Sequence, residues 1–374
     1  MYFAFTDEQK LLQESVERFA ENEYPFETRR SISQSGDGFS AEHWKKFAEL
    51  GWLGLGIDEQ FGGLGGTPVE TSIVMEGLGH ALSVEPYTTT LSLCASIMGR
   101  AQTPLAKSLL PQIAEGKVRV ALATAERQSR FNLANVRTTA EKSGESYRIV
   151  GDKCVIFDAP GADYLIVVAR TSGDFLDRTG LSLFLVENAQ TQSNTRTYST
   201  IDGKRAADIH IDVEVPASNL IGDVDNGFAL LEFGVDNAIV SLCAEAVGIM
   251  KYMHDATLEY LRTRTQFGQP LAQFQALQHR VVDMFVAYEL SRSMAYMAAL
   301  RLGDSAGQRR KAVSAAKVQI GNAGRLIGED SIQLHGGMGM TEELPIGHYF
   351  KRLTMIDRTF GDVDFHLKAV ADCA

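Results

Sequence analysis

The chain has 374 residues, with 36 Lys and Arg against 47 Asp and Glu, a net charge of −11, and 45% apolar residues. That length allows two or three domains and a sizeable core. The acidic balance excludes nonspecific binding to nucleic acid or to an anionic membrane, both of which need a basic face.

Thr6-Asp7-Glu8-Gln9 has the spacing of a capping box, in which a hydroxyl and an amide three residues apart satisfy each other's free N–H groups. Leu11, Leu12, Val16 and Phe19 then mark one helix face. A polar loop is expected from Ser31 to Ser40, and a helix carrying Trp44, Phe47 and Leu50. The glycines of Gly51–Gly56 and Phe61–Thr67 read as turns, because no P-loop lysine follows them. Helices over Val69 to Leu82 and up to about Ala114 complete an all-α domain, residues 1–117.

From Val118 the period changes to short β-rich runs at Arg119–Thr124, Tyr147–Val150, Lys153–Phe157, Tyr164–Ala169, Leu181–Val186 and Ala207–Val213. Short polar turns between them predict an antiparallel sheet or small barrel rather than βαβ units, in a domain of residues 118–224. From Asn226 the chain reads as helical, with apolar faces at Phe228–Met250, at Val281, Val282, Phe285, Tyr288, Met294 and Leu300, and at Val313–Ile327. Small residues at Ala315, Ala316, Gly321, Ala323 and Gly324 allow close helix packing. Pro345 opens a last amphipathic segment. The fold class is therefore α+β: helical domain, middle antiparallel β-barrel domain, and a C-terminal four-helix bundle over residues 225–374. Cys94, Cys154, Cys243 and Cys373 form no CxxC or Cys/His cluster, so no metal or disulfide is expected. No uninterrupted apolar run approaches a membrane span, and Met1 to Lys10 has no secretory pattern. A cytoplasmic setting is the expectation.

Two motifs carry chemistry. Gln333-Leu334-His335-Gly336-Gly337-Met338-Gly339, followed by Pro345 and Lys351-Arg352, resembles the C-terminal signature of the acyl-CoA dehydrogenase family. Arg264-Thr265-Gln266-Phe267-Gly268, followed by Phe274-Gln275, looks like the family's Arg-x-x-Phe-Gly segment. The resemblance runs from Thr6 to Val370. It implies FAD-dependent oxidation of the Cα–Cβ bond of an acyl-CoA thioester, as in fatty acid or steroid degradation, with an electron-transfer flavoprotein as acceptor. It further implies that Arg264, Phe267, Gln275, Gln333, Gly336 and Gly337 reach the adenine–pyrophosphate half of FAD held mainly by a neighbouring subunit.

The other half of the family's site is altered. Where the family has Thr-Glu-Pro-Gly-Ala-Gly-Ser-Asp, this chain has Ala125-Glu126-Arg127-Gln128-Ser129-Arg130-Phe131-Asn132, and Val155-Ile156-Phe157 replaces Trp-Ile-Thr. Gly361 stands at the family's Glu base, Val363 at a flavin-contacting Thr, and Ala238 at the alternative base position. Asp362, Asp364 and Asp236 are the nearby carboxylates, with a helix cap as the plainer role of the first two. The split resembles the small or non-catalytic-type subunit of hetero-oligomeric members, such as pimeloyl-CoA or steroid side-chain CoA dehydrogenases, with a homologous partner in an α2β2 assembly. The alternatives are a self-sufficient homotetramer with an Asp base, and a non-redox scaffold or CoA-thioester binder.

Overall fold

A computed structural model describes residues 5–372; Cys373 lies outside them. The first helices are α1 (Asp7–Asn22), α2 (Phe26–Gln34), α3 (Ala41–Glu49), α4 (Pro68–His80), α5 (Ser96–Ala101) and α6 (Pro104–Ala114). The capping box forms as the spacing requires: Gln9 N donates to Thr6 Oγ1 at 3.2 Å and Thr6 N to Gln9 Oε1 at 3.0 Å. The expected loop from Ser31 is shorter, because α2 runs through Gln34 and buries Arg29. A π-helical stretch, Thr88–Ala95, precedes α5 with every residue buried.

The middle sheet has eight strands: β1 (Val120–Ala123), β2 (Thr139–Ser143), β3 (Ser146–Phe157), β4 (Tyr164–Arg170), β5 (Leu181–Glu187), β6 (Thr195–Ser199), β7 (Arg205–Pro216) and β8 (Leu220–Ile221). Their order is β6-β7-β3-β2-β4-β5-β8, with β1 added parallel to β4. Most pairs are antiparallel; β1–β4 and the single β2–β4 pairing are parallel. The runs at Tyr147 and Lys153 are one strand, whose register on β7 shifts between Lys153 and Ile156. That bulge lets one continuous strand look like two. Ile149, Ile156, Val167, Phe184, Ile209 and Ile211 fill the face of the sheet that forms its core.

The C-terminal helices are α7 (Phe228–Thr263), α8 (Gln275–Leu300), α9 (Ala306–His335), α10 (Pro345–Arg358) and a fifth, short α11 (Val363–Asp372). Between α7 and α8 lies the hairpin of β9 (Thr265–Gln266) and β10 (Gln269–Pro270). By length and composition α7 could cross a membrane, but 89% of its apolar window is buried. It is a core helix. A Cβ on Gly248 would lie 1.8 Å from the Glu76 carbonyl oxygen, so α7 and α4 cross in near-backbone contact. On α8 the predicted apolar set divides. Val281 and Tyr288 are buried, whereas Val282, Phe285 and Leu300 are exposed, as are Val286 and Leu290. Val282, Phe285, Val286 and Leu290 therefore form an apolar stripe at helical spacing on the exposed side of α8.

The described residues group into two compact units. One holds the chain up to Ser31, Pro68–Ser83 and everything from Ile239; the other holds Ile32–Thr67 and Val84–Ala238.

Candidate functional site

The first candidate surface gathers the ends of α7 and α9. Arg264 follows α7 directly, its N–H donating to Tyr260 O at 2.8 Å. The next six residues, 265–270, make a hairpin with a two-residue turn, Phe267 at φ 55° and Gly268 at φ 82°. A tight hairpin of this kind needs positive φ at both central positions. Gly268 meets that freely; a phenylalanine rarely does. Phe267 is 90% exposed, with only an edgewise contact to Phe274 at 6.1 Å. A ring held this way adds almost nothing to the folding of its own chain.

Gly336 ends α9 at φ 60°, ψ −141°, a backbone region essentially reserved for glycine. A Cβ at Gly336 or Gly337 would meet nothing within 4 Å. At Gly337, then, internal packing does not demand a glycine, and the bare backbone stands open to solvent. Tyr260 and His335 tie the two ends together: their rings stack at 4.4 Å, and Tyr260 Oη donates to the His335 carbonyl at 3.5 Å. Burial lowers the His335 pKa. Arg264, Phe267, Gln275, Gln333, Gly336 and Gly337 are all exposed. An arginine, two amides and two open glycines are groups that can hold a phosphate-bearing ligand, and a bare ring offers it an apolar surface.

The second surface belongs to the middle sheet. Val155, at the β3 bulge, sits at φ 50° and is 42% exposed. A β-branched residue in this region is a true outlier. Its N–H donates to Asp208 Oδ1 at 3.0 Å, and the Cys154 N–H to the Ala125 carbonyl at 2.9 Å. These bonds fix the bulge against the loop after β1. Beneath them lies a buried pair, Lys153 Nζ donating to Glu126 Oε1 at 2.8 Å. Glu126 also accepts from Thr138 Oγ1 and from the Arg137 and Thr138 N–H groups. Burial would raise the Glu126 pKa, but the charge and hydrogen bonds of Lys153 outweigh it and hold it at about 2. Burial brings Lys153 down to about 8 against the pull of Glu126. Both are charged at neutral pH. The brace is polar, yet the residues at the family's ring-contacting positions are not. Ala125, Phe131, Val155 and Phe157 carry no side-chain donor for a polar ring edge.

The third element is the turn at Gly361, where the sequence resemblance sets the family's base. Gly361 sits at φ 122°, and a Cβ there would lie 2.5 Å from Phe365 Cδ1 and 2.6 Å from His366 Nε2. No side chain fits. Asp362 is spent as the α11 cap: Oδ1 accepts from the Phe365 N–H at 3.1 Å and Oδ2 from Arg358 Nη1 at 2.9 Å. Asp364 is exposed in the first turn of α11. Asp236 and Ala238 are fully buried within α7. What occupies the interior behind Gly361 is a cation. Lys317 Nζ donates to the Ile356, Asp357 and Gly361 carbonyls at 2.6, 3.0 and 2.9 Å. The sequence reading missed Lys317, although a lysine set in the Val313-Ala316-Ile320 stripe was the visible signal.

These features define a class: a flavoenzyme fold of helical, β and helical parts. "Acyl-CoA dehydrogenase, N-terminal domain" matches residues 6–117, the corresponding middle domain 121–213 and the C-terminal domain 225–373. The chain belongs to the acyl-CoA dehydrogenase family. It is 32% identical to "Probable acyl-CoA dehydrogenase YngJ" of Bacillus subtilis (strain 168), covering 92% of this chain and 91% of that one. Among solved structures it is similar to a steroid ACAD variant, Tcur3481-Tcur3483, with 26% identity, TM-score 0.88 and 98% and 97% of the two chains covered. It is also similar to the FAD complex of PigA, with 27% identity, TM-score 0.89 and 100% and 98% covered.

Proposed function

We propose that this chain is the FAD-completing, base-less subunit of a hetero-oligomeric acyl-CoA dehydrogenase. Arg264, Phe267, Gln275, Gln333, Gly336 and Gly337 hold the adenine–pyrophosphate half of FAD seated mainly in a homologous partner chain. Arg264 supplies charge-assisted hydrogen bonds to the phosphates, Phe267 an apolar surface, and Gly336-Gly337 close backbone approach. The chemistry FAD supplies in such an assembly is acceptance of a hydride from the acyl-CoA, with electrons passed to an electron-transfer flavoprotein. The exposed stripe of α8 (Val282, Phe285, Val286 and Leu290) gives the partner an apolar surface to cover.

One observation carries the reading: Phe267, its ring in water at the tip of a hairpin whose positive φ a phenylalanine rarely accepts. The lack of space at Gly361 and the lack of donors at Ala125, Phe131, Val155 and Phe157 support the other side of the split. A self-sufficient homotetramer would need a carboxylate free to take a proton, and Asp362 is committed to its cap and to Arg358.

The test is flavin content. The chain is purified alone and co-expressed with a homologous acyl-CoA dehydrogenase subunit encoded beside it. Flavin absorbance and substrate-dependent bleaching are expected only from the pair. A yellow, fully active lone protein overturns the proposal.

A further inference from the structure

The outer face of the middle sheet carries a half-open cavity of ≈ 660 Å³ that the subunit reading does not use. Arg127 and Arg137 reach it from the loop after β1, Arg196 from β6, His210 and Asp208 from β7, and Lys153 from β3. The charges there are unevenly satisfied. The Glu126 carboxylate already accepts from two backbone N–H groups, Thr138, Gln128 and Lys153. Asp208 Oδ1 accepts from the Val155 N–H and from Tyr198 Oη at 2.8 Å. Asp152 Oδ1 meets His210 Nδ1 at 2.7 Å.

The arginines have no such partners. Among the described residues no ion pair engages Arg127, Arg137 or Arg196. Arg137 lies 5.4 Å from the Phe175 ring, a contact that leaves its charge uncompensated. Arg196 sits directly across from Asp208 in the β6–β7 register, yet Asp208 serves Val155 and Tyr198 instead. Four cations, Arg127, Arg137, Arg196 and Lys153, face three carboxylates, Glu126, Asp152 and Asp208, so the lining carries an excess of one positive charge in an otherwise acidic protein. No Phe, Tyr or Trp lines the cavity, so a base or an acyl chain has little to stack on. The volume suits a small ligand, and guanidinium forks match phosphate oxygens in pairs.

We propose that this cavity is an anion site for a phosphate-bearing ligand with two or more negative charges. Arg127, Arg137 and Arg196 bind its oxygens; the Glu126–Lys153 pair is the rigid floor. The inference is independent of the FAD-completing surface, which lies on other elements. Two ligands share this chemistry: the phosphate end of a CoA thioester and the pyrophosphate of a dinucleotide.

Sodium pyrophosphate is titrated calorimetrically into the full chain at low and high NaCl. Saturable one-site binding that weakens with salt is expected. The double variant Arg127→Ala/Arg196→Ala, both sites on the surface, should bind about ten-fold more weakly or worse, with an unchanged melting temperature. No saturable binding, or equal binding by the variant, overturns the proposal. Competition then separates the sources: displacement of pyrophosphate by CoA alone assigns the site to the thioester, and displacement by FAD alone to the dinucleotide. Displacement by neither overturns a role in holding a biological phosphate.

Discussion

Lys317 Nζ donates to the Gly361 carbonyl oxygen at 2.9 Å, so the residue that the sequence resemblance sets at the family's base position is tied by its backbone to a buried cation. The same ammonium holds the Ile356 and Asp357 carbonyls, which pins the end of α10 and the turn into α11. Gly361→Glu is therefore expected not to create a base. The new Cβ would overlap Phe365 and His366, and φ 122° is closed to glutamate. The variant should lose about 1–3 kcal/mol of stability, read by denaturant unfolding, with no gain in substrate-dependent flavin reduction in the assembled complex. A stable variant with new activity would show that the turn yields and that a carboxylate is all the site lacks.

The two titratable groups around that turn predict a pH profile. Burial, then Lys317 and Arg310, depress the His366 pKa to about 3, while its hydrogen bond with the Phe360 carbonyl opposes the shift. A depressed folded value means that the unfolded chain takes up the proton first. The stability contribution of His366 is thus complete above about pH 6.5 and is lost as the pH falls toward 3. Lys317 is lowered to about 8 by burial, so its contribution rises as the pH increases from about 8 through its unfolded value near 10.5. His366→Gln keeps a neutral polar side chain, and should flatten the acid limb between pH 6.5 and 3 while leaving the alkaline limb alone. An unchanged acid limb assigns the slope to other groups.

How far the sequence could be read depended on the range of the interaction. The Thr6–Gln9 capping box and the Pro345 start of α10 are encoded within a few residues, and both are legible. Strands β2 and β6 are mostly exposed and polar, so no apolar alternation announced them. The bulge at Val155 split one strand into two readings, because its cause is the pairing with β7, some fifty residues away. On α8 the sequence marked the helix but not which residues it buries, because an exposed apolar stripe has the same 3.6-residue period as a buried one. At the site, the residue types at positions 264, 267, 336 and 337 were readable, but their exposure and Phe267's left-handed backbone were not. Lys317 was missed because its acceptors lie some forty positions on and are backbone carbonyls, which no residue type announces.

Arg352 and Glu245 form a buried fork, Nε to Oε1 at 2.6 Å and Nη2 to Oε2 at 2.7 Å, joining α10 to α7. Replacing Arg352 with Met leaves the Glu245 carboxylate unpaired in the interior. Breaking one side of such a pair costs about 3–5 kcal/mol. The conservative Arg352→Lys should recover only part of this, since an ammonium cannot span both carboxylate oxygens. Chemical denaturation of the three proteins should rank them wild type, Lys, Met. Equal stability for Arg352→Met would mean that Glu245 takes up a proton at little cost.

Val155 tests whether the middle sheet keeps its bulge at the expense of stability. A β-branched side chain at φ 50° costs roughly 1–2 kcal/mol, and glycine relieves this at the smaller expense of greater freedom in the unfolded chain. Val155→Gly should therefore raise the stability of the lone chain by up to about 1 kcal/mol. A loss of stability would show that the valine side chain packs favourably enough to outweigh its backbone.

Phe267 and Arg264 separate a partner-facing surface from a self-serving one. Both are exposed, so Phe267→Ala and Arg264→Ala should change the unfolding free energy of the lone chain by no more than about 0.5 kcal/mol. In the assembled pair, loss of a charge-assisted phosphate contact is worth about 1.5–3 kcal/mol, so Arg264→Ala should weaken FAD retention roughly ten- to hundred-fold. Phe267→Ala removes only apolar contact and should cost less. Flavin release during dialysis against chaotropic salt reads both effects, and Arg264→Lys should fall between wild type and Ala, since it keeps the charge but not the fork. If all three variants retain flavin as wild type does, the hairpin does not hold the dinucleotide, and the exposure of Phe267 needs another partner to explain it.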